Sequence, residues 1–118
     1  MTGIRQRYIV FEILCEQDTH FSEKALIRAI WQKMNQVFGE IISFKAGLWM
    51  ISWDIENNKG ILRTDHLVDT EIIATLSLIR IVNKKPLIIH TRKTTGTIKK
   101  AKSYWKELFH LPIPENKS

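Results

Sequence analysis

The run "LWMISWDIENNKGILRTD", residues 48 to 65, constrains the fold more than any other part of the chain. Trp49, Ile51, Trp53 and Ile55 alternate with Met50, Ser52 and Asp54, the period of a half-covered sheet. "ENNKG" is turn chemistry and "GILRTD" returns as the next strand, so the stretch reads as an antiparallel hairpin. The preceding "EIISFKAG" joins it, which extends the expected second strand over about 40 to 55, bent or bulged at Ala46-Gly47. A lone hairpin is marginal in water. The rest of the chain must therefore supply neighbouring strands and a covering layer.

It supplies both. "RYIVFEILC" (7–15) is a β-branched and aromatic run of strand length. "FSEKALIRAIWQKMNQVFG" follows as a helix, with Ser22 at its N-cap, Phe21 and Leu26 placed as a hydrophobic staple and Gly39 at its end. Leu26, Ile30, Met34 and Val37 make its core stripe, widened by Ile27, Trp31 and Phe38, with Lys24, Arg28 and Gln32 opposite. A second helix is expected over about 67 to 82, a fourth strand in "PLIIHTRK" from Pro86, and a third helix from near Thr97 to Phe109.

The order β-α-β-β-α-β-α predicts an α+β fold: a ferredoxin-like (RRM-like) β-α-β-β-α-β sandwich with a four-stranded antiparallel sheet, plus a C-terminal basic helix. One domain over 1–118 is expected, with a core at about 5–110 and a loose tail at 111–118. Such a fold hosts many functions, so function must come from the site.

Charge gives the first direction. From Ile72 to Lys106 there are nine Lys/Arg and no Asp or Glu, while the remainder holds nine basic and twelve acidic residues. A balanced body with a strongly basic C-terminal third is the footprint of a polyanion partner. "MTGIRQRY" carries no apolar stretch behind its arginines, and no run approaches a membrane span, so a cytoplasmic protein without a membrane role is expected. The single cysteine, Cys15, sits in an apolar run and reads as an inert thiol.

Catalytic constellations are missing from the pattern. Asp54, Glu56 and Asp65 flank one hairpin, but two of them adjoin turns, where acids are common. His20, His66, His90 and His110 fall in four separate elements without ligand spacing. His90 alone lies on the basic strand, where it could touch RNA. No phosphate loop, dinucleotide fingerprint, nucleophile elbow or aromatic single-strand RNA signature is present. No catalytic residue and no metal ligand is assigned.

The basic helix is more specific. On a wheel of residues 97 to 109, Ile98, Ala101, Trp105, Leu108 and Phe109 share one arc that must pack on something apolar. Lys99, Lys102 and Lys106 stack on the flank of that arc, and Lys100 points elsewhere. Like charges at such spacing repel by about 0.2–0.5 kcal/mol per pair, unless an anion lies along them. Thr94 or Thr95 can cap the helix, and Gly96 permits close backbone approach to a phosphate. The candidate RNA contacts are therefore Arg92, Lys93, Thr95, Gly96, Thr97, Lys99, Lys100, Lys102 and Lys106. Lysines read charge and shape rather than base identity.

The second helix carries a different signal. Ile72, Ile73, Leu76 and Ile79 form one apolar face, while Ala74, Leu78 and Ile81 fall on roughly the opposite side. A helix apolar on both sides lies under the third helix or against a partner, another protein or a second copy. Ala74, Leu78 and Ile81 are the candidate interface.

"TTGTIKKAK" resembles the terminal motif of the ribonuclease P protein component 2 family, which includes the eukaryotic Pop-five subunit. "RYIVFEI", "AIW", "LWMISWD" and "GILRTD" agree in the same order, from about Arg7 to Phe109. Trp53 stands where Phe is commoner and Thr95 where Ser is commoner. The resemblance implies a non-catalytic subunit of ribonuclease P, whose RNA removes the 5′ leader of precursor tRNA with magnesium ions that it binds itself. It implies no cofactor in the protein. The implied partners are that RNA, precursor tRNA, component 3 and other ribonuclease P proteins. Two other readings are a ribosomal or RNA-chaperone module of the same fold, and an acylphosphatase-like enzyme using Arg5 or Arg7.

Overall fold

In a computed structural model, residues 5–114 are described. Five strands form one antiparallel sheet: β1 (Gln6–Cys15), β2 (Trp49–Asp54), β3 (Lys59–Asp65), β4 (Ile81–Val82) and β5 (Lys85–Thr95). Their order across the sheet is β2-β3-β1-β5-β4. Four helices accompany them: α1 (Glu23–Phe38), α2 (Glu40–Lys45), α3 (Asp69–Leu78) and α4 (Ile98–Phe109).

The central strand feeds two cores. Ile9, Phe11 and Ile13 enter a large core with Leu26, Ile30 and Met34 of α1 and Ile72 and Leu76 of α3. Val10, between them, enters a smaller core on the opposite face, with Ile61, Ala101 and Trp105. The sheet is thus covered by α1 and α3 on one side and by α4 on the other. Tyr8, Leu108, Phe109 and Ile113 extend the smaller core.

Local chemistry sets the elements as expected in several places. Ser22 accepts a hydrogen bond from the Ala25 N–H and caps α1. Gly39 ends the helix with φ 91° and ψ 169°, a conformation that is essentially glycine's alone. The hairpin turn is closed by Asp54, whose carboxylate accepts from the Asn57 backbone and side chain. Gly60 of β3 lies opposite both Phe11 and Trp53, whose rings stack at 5.9 Å; a Cβ there would fall 2.7 Å from Phe11. Cys15 is half-buried, and burial, then the charge of Glu16, pushes its thiol above the usual range.

Five expectations are corrected. Residues 40–45 form helix α2, not the start of a strand. Gly39 restarts the helix, and the Ala46 carbonyl is then tied down by the Thr64 hydroxyl at 2.8 Å and the Asp65 N–H at 2.8 Å. The second helix stops at Leu78, because Ile79 is already extended, and Ile81–Val82 form a fifth strand. A two-residue turn at Asn83 and Lys84, both at positive φ, returns this strand into β5. In α1, Leu26, Ile30 and Met34 are buried, but Val37 is exposed. The third helix is capped by Thr97, not by Thr94 or Thr95. Within the tail expected to be loose, Trp105 Nε1 donates to the Leu111 carbonyl at 3.1 Å and Ile113 joins the smaller core. Residues 115–118 of that tail lie outside the described residues.

Candidate nucleic-acid interface

Two buried side chains fix α4: Ala101 and Trp105 are both 0% exposed. Trp105 also meets Phe109 edge-on at 5.1 Å. At about 100° per residue, that anchoring turns Lys99, Lys102 and Lys106 outward along one flank. All three are exposed, and among the described residues no carboxylate lies within ion-pair distance of any of them. Ile98, expected in the packing arc, is 38% exposed and sits at its edge.

The flank has a direction. Tyr104, on the other side of the helix, lies under the Lys93 ammonium at 4.9 Å and so leans toward β5. Phe109, on the ridge side, lies under both Lys59 of β3 at 5.1 Å and Arg92 of β5 at 5.9 Å. The ridge therefore lies on the flank turned away from Lys93. Lys93 and Lys100 belong to the opposite flank.

The remaining candidates separate. Arg92 is engaged: its guanidinium donates to Glu12 Oε2 at 2.7 Å. Glu12 also holds His90 at 3.1 Å and Lys59 at 3.7 Å, so a β1 carboxylate gathers cations from both neighbouring strands. Burial alone would raise the Glu12 carboxyl, but hydrogen bonds from Arg92 and His90 and the charges of Arg92 and Lys59 outweigh it and hold it below the usual value. Arg92 and His90 thus both engage a protein carboxylate, while remaining partly exposed. Thr95 is buried and donates to the Thr97 carbonyl, and the Thr97 hydroxyl accepts from the Lys100 N–H. Gly96 does permit a close approach, but by Arg7: a Cβ would meet that guanidinium at 3.0 Å.

Sequence reasoning left Arg7, Arg63 and Trp49 out of the RNA-contact set. Arg7 stands at the start of α4 while pairing with Asp69 at 3.6 Å. Arg63 lies with its guanidinium 6.0 Å from the ring of Trp49. Only the alternation of β1 and β3 hinted at which face they occupy.

The candidate carboxylates do not converge. Asp54 pairs with Lys59 at one end of β3 and Asp65 ends the same strand, about 20 Å away at the strand rise. Asp65 caps the following turn, accepting from the Leu67 N–H. No group of three potential metal ligands occurs among the described residues.

On the far side of the sheet, α3 presents Leu78, 48% exposed, and Ala74, half-buried. Helix α4 covers the opposite sheet face and does not reach them. Ile81 is not on that helix face: it lies in β4 opposite Pro86, 61% exposed.

Residues 7–106 match the sequence profile of the Rpp14/Pop5 family. Curated relatives named ribonuclease P protein component 2 include that of Pyrococcus furiosus, 32% identical over 83% of this chain and 80% of the relative. The Pyrococcus abyssi protein is 35% identical over 83% of this chain and 81% of its own length. Among solved structures, a chain of yeast ribonuclease MRP superposes with a TM-score of 0.62 at 11% identity, covering 93% of this chain and 92% of that one.

Proposed function

The chain belongs to the Rpp14/Pop5 family, and from that premise we propose that it is a non-catalytic protein subunit of ribonuclease P. In this reading it binds and supports the RNA that removes the 5′ leader of precursor tRNA. The observation that carries the RNA contact is the ridge of Lys99, Lys102 and Lys106, exposed and without a carboxylate partner among the described residues. A phosphate backbone along the ridge relieves its self-repulsion, and counterions released from that backbone drive binding.

The separation of Asp54 from Asp65 and the engagement of every described histidine with a backbone or carboxylate group, His110 apart, support a supporting role rather than a catalytic one. Magnesium is read as the RNA's own. Component 3 is the proposed protein partner, with Ala74 and Leu78 as its contact. The last long strand beside the first, and the hairpin beyond it, support the ferredoxin-like reading of the fold. No helix among the described residues is long and apolar enough to cross a membrane.

The test is reconstitution of the holoenzyme from RNA and protein subunits with this chain included or omitted. Precursor tRNA cleavage should fall on omission, and the highly purified chain alone should cleave nothing. Magnesium-dependent leader removal by the RNA-free protein, abolished by Asp54→Ala, would refute the proposal.

A further inference from the structure

Strand pairing lines up one row across the sheet. Trp49 of β2 faces Arg63 of β3, Arg63 faces Tyr8 of β1, and Tyr8 faces Thr95 of β5. Paired residues share a face, and Ile61, two before Arg63, is buried with Ala101 and Trp105. The row therefore lies on the α4 side. It begins at the turn that starts α4 and ends at the free edge of the sheet, about 15 Å away at the usual strand spacing.

Arg63 is unsatisfied there. Its Nε is buried with no hydrogen-bond partner, and no carboxylate pairs with its guanidinium among the described residues. Leaving a cation partly buried without an anion is costly. Beside it, the Trp49 ring is 52% exposed. Trp49 also borders a cleft with Ile27, Trp31 and Met50, but along the row its neighbours are a cation, a phenol and a hydroxyl. An exposed indole backed by an unpaired guanidinium suits a flat π-system attached to an anion.

We propose that Trp49 and Arg63 form a platform for one unstacked base of a single-stranded RNA segment, the base lying on the Trp49 ring and Arg63 pairing with the adjacent phosphate. This deepens the RNA reading above, because the ridge alone does not distinguish duplex from single strand, whereas stacking on an indole needs a base free of its own stack.

The experiment uses the full chain, alone and in the reconstituted holoenzyme, with two probes: a short oligouridylate and an RNA duplex of matched phosphate count. Trp49→Ala should weaken oligouridylate binding about 5- to 100-fold, with an unchanged salt slope and with duplex binding within about twofold of the parent. Trp49→Phe should recover most of the loss. Arg63→Gln should weaken oligouridylate binding and make its slope shallower by about 0.7. A photo-crosslinking oligomer carrying 4-thiouridine should attach to Trp49 in the parent, a readout that does not depend on how the variants fold.

The platform is overturned by a parent that binds no oligouridylate in either setting, by Trp49→Ala that binds it like the parent, or by crosslinks confined to α4. Equal losses for both probes would also overturn it. Unchanged RNA binding with weakened assembly of the protein subunits would assign Trp49 to a protein contact instead. Loss of both probes on neutralising Lys99, Lys102 and Lys106, with none in Trp49→Ala, would keep the ridge and sink the platform. The opposite pattern would sink the ridge and keep the platform.

Discussion

Replacing Lys99, Lys102 and Lys106 together with glutamine tests the central contact without disturbing what holds α4 in place. Lysine and glutamine have nearly the same helix propensity, and Ala101 and Trp105, which anchor the helix, are untouched. Two like-charge pairs are removed, at i,i+3 and i,i+4, which stabilises the helix by about 0.4–1 kcal/mol. Lys99 near the positive helix start and Lys106 near the negative end change the dipole energy in opposite directions, so those terms roughly cancel. The variant should melt no lower than the parent. In RNA binding, three lost phosphate contacts make the slope of log affinity against log salt shallower by about 2.1 for single strands and about 2.7 for duplex. Over a fourfold range of salt, the ratio of parent to variant affinity should then change by roughly 20- to 40-fold. Fluorescence anisotropy against ribonuclease P RNA at several salt concentrations measures this. Arg28→Gln, on α1 across the sheet, is the control and should move the slope by less than about one unit. An unchanged slope in the triple variant would make the ridge a merely solvated face and refute the reasoning.

Three other substitutions probe separate parts of the molecule. Leu78→Glu, at a half-exposed position on α3, should leave the melting transition within about 0.5 kcal/mol of the parent yet weaken association with component 3 in a pull-down; loss of cooperative melting would make that face internal. Gly60→Ala should cost about 1–3 kcal/mol in a denaturant melt, because its Cβ would press on the stacked Phe11 and Trp53 rings; an unchanged midpoint would contradict the packing. Glu12, whose carboxyl is held below its unfolded value, contributes stability that is present above the unfolded value and lost as pH falls through the folded one. Glu12→Gln should accordingly flatten the acid limb of a stability–pH curve, and a limb as steep as the parent's would place the effect elsewhere.

What could be read from the sequence was what depends on near neighbours. The α1 stripe recurs on three successive turns behind a capping serine, so Leu26, Ile30 and Met34 were legible as core. The lysine ridge was legible for the same reason, since three positions at helical spacing fix their own face. Short elements were not. Helix α2 is six residues long, less than two turns, and its Ile41, Ile42 and Phe44 fit a strand as well as a helix. Strand β4 is two residues inside the apolar run "LSLIRIV", and its turn uses Asn83-Lys84 where a glycine would have announced it. Side-chain partners were least legible. Arg92 reads as a free cation until the fold brings Glu12 to it across 80 positions. Arg63 reads as an ordinary strand residue until pairing sets it beside Trp49, with no carboxylate paired to it among the described residues.

The two cores explain why the basic helix cannot be treated as an appendage. β1 lies between β3 and β5 and is covered on both faces, so "YIVFEI" runs almost continuously apolar instead of alternating. Val10 and Ile61 are dry only because Trp105 and Ala101 sit over them. Truncating α4 would therefore remove the lysines and expose part of the sheet at once, and a loss of RNA binding after truncation would not say which change caused it. Charge substitutions on the outer flank separate the two, because the flank that carries the lysines is not the flank that packs. Binding lost with melting retained is a property of the charges, and binding lost with melting is a property of the core.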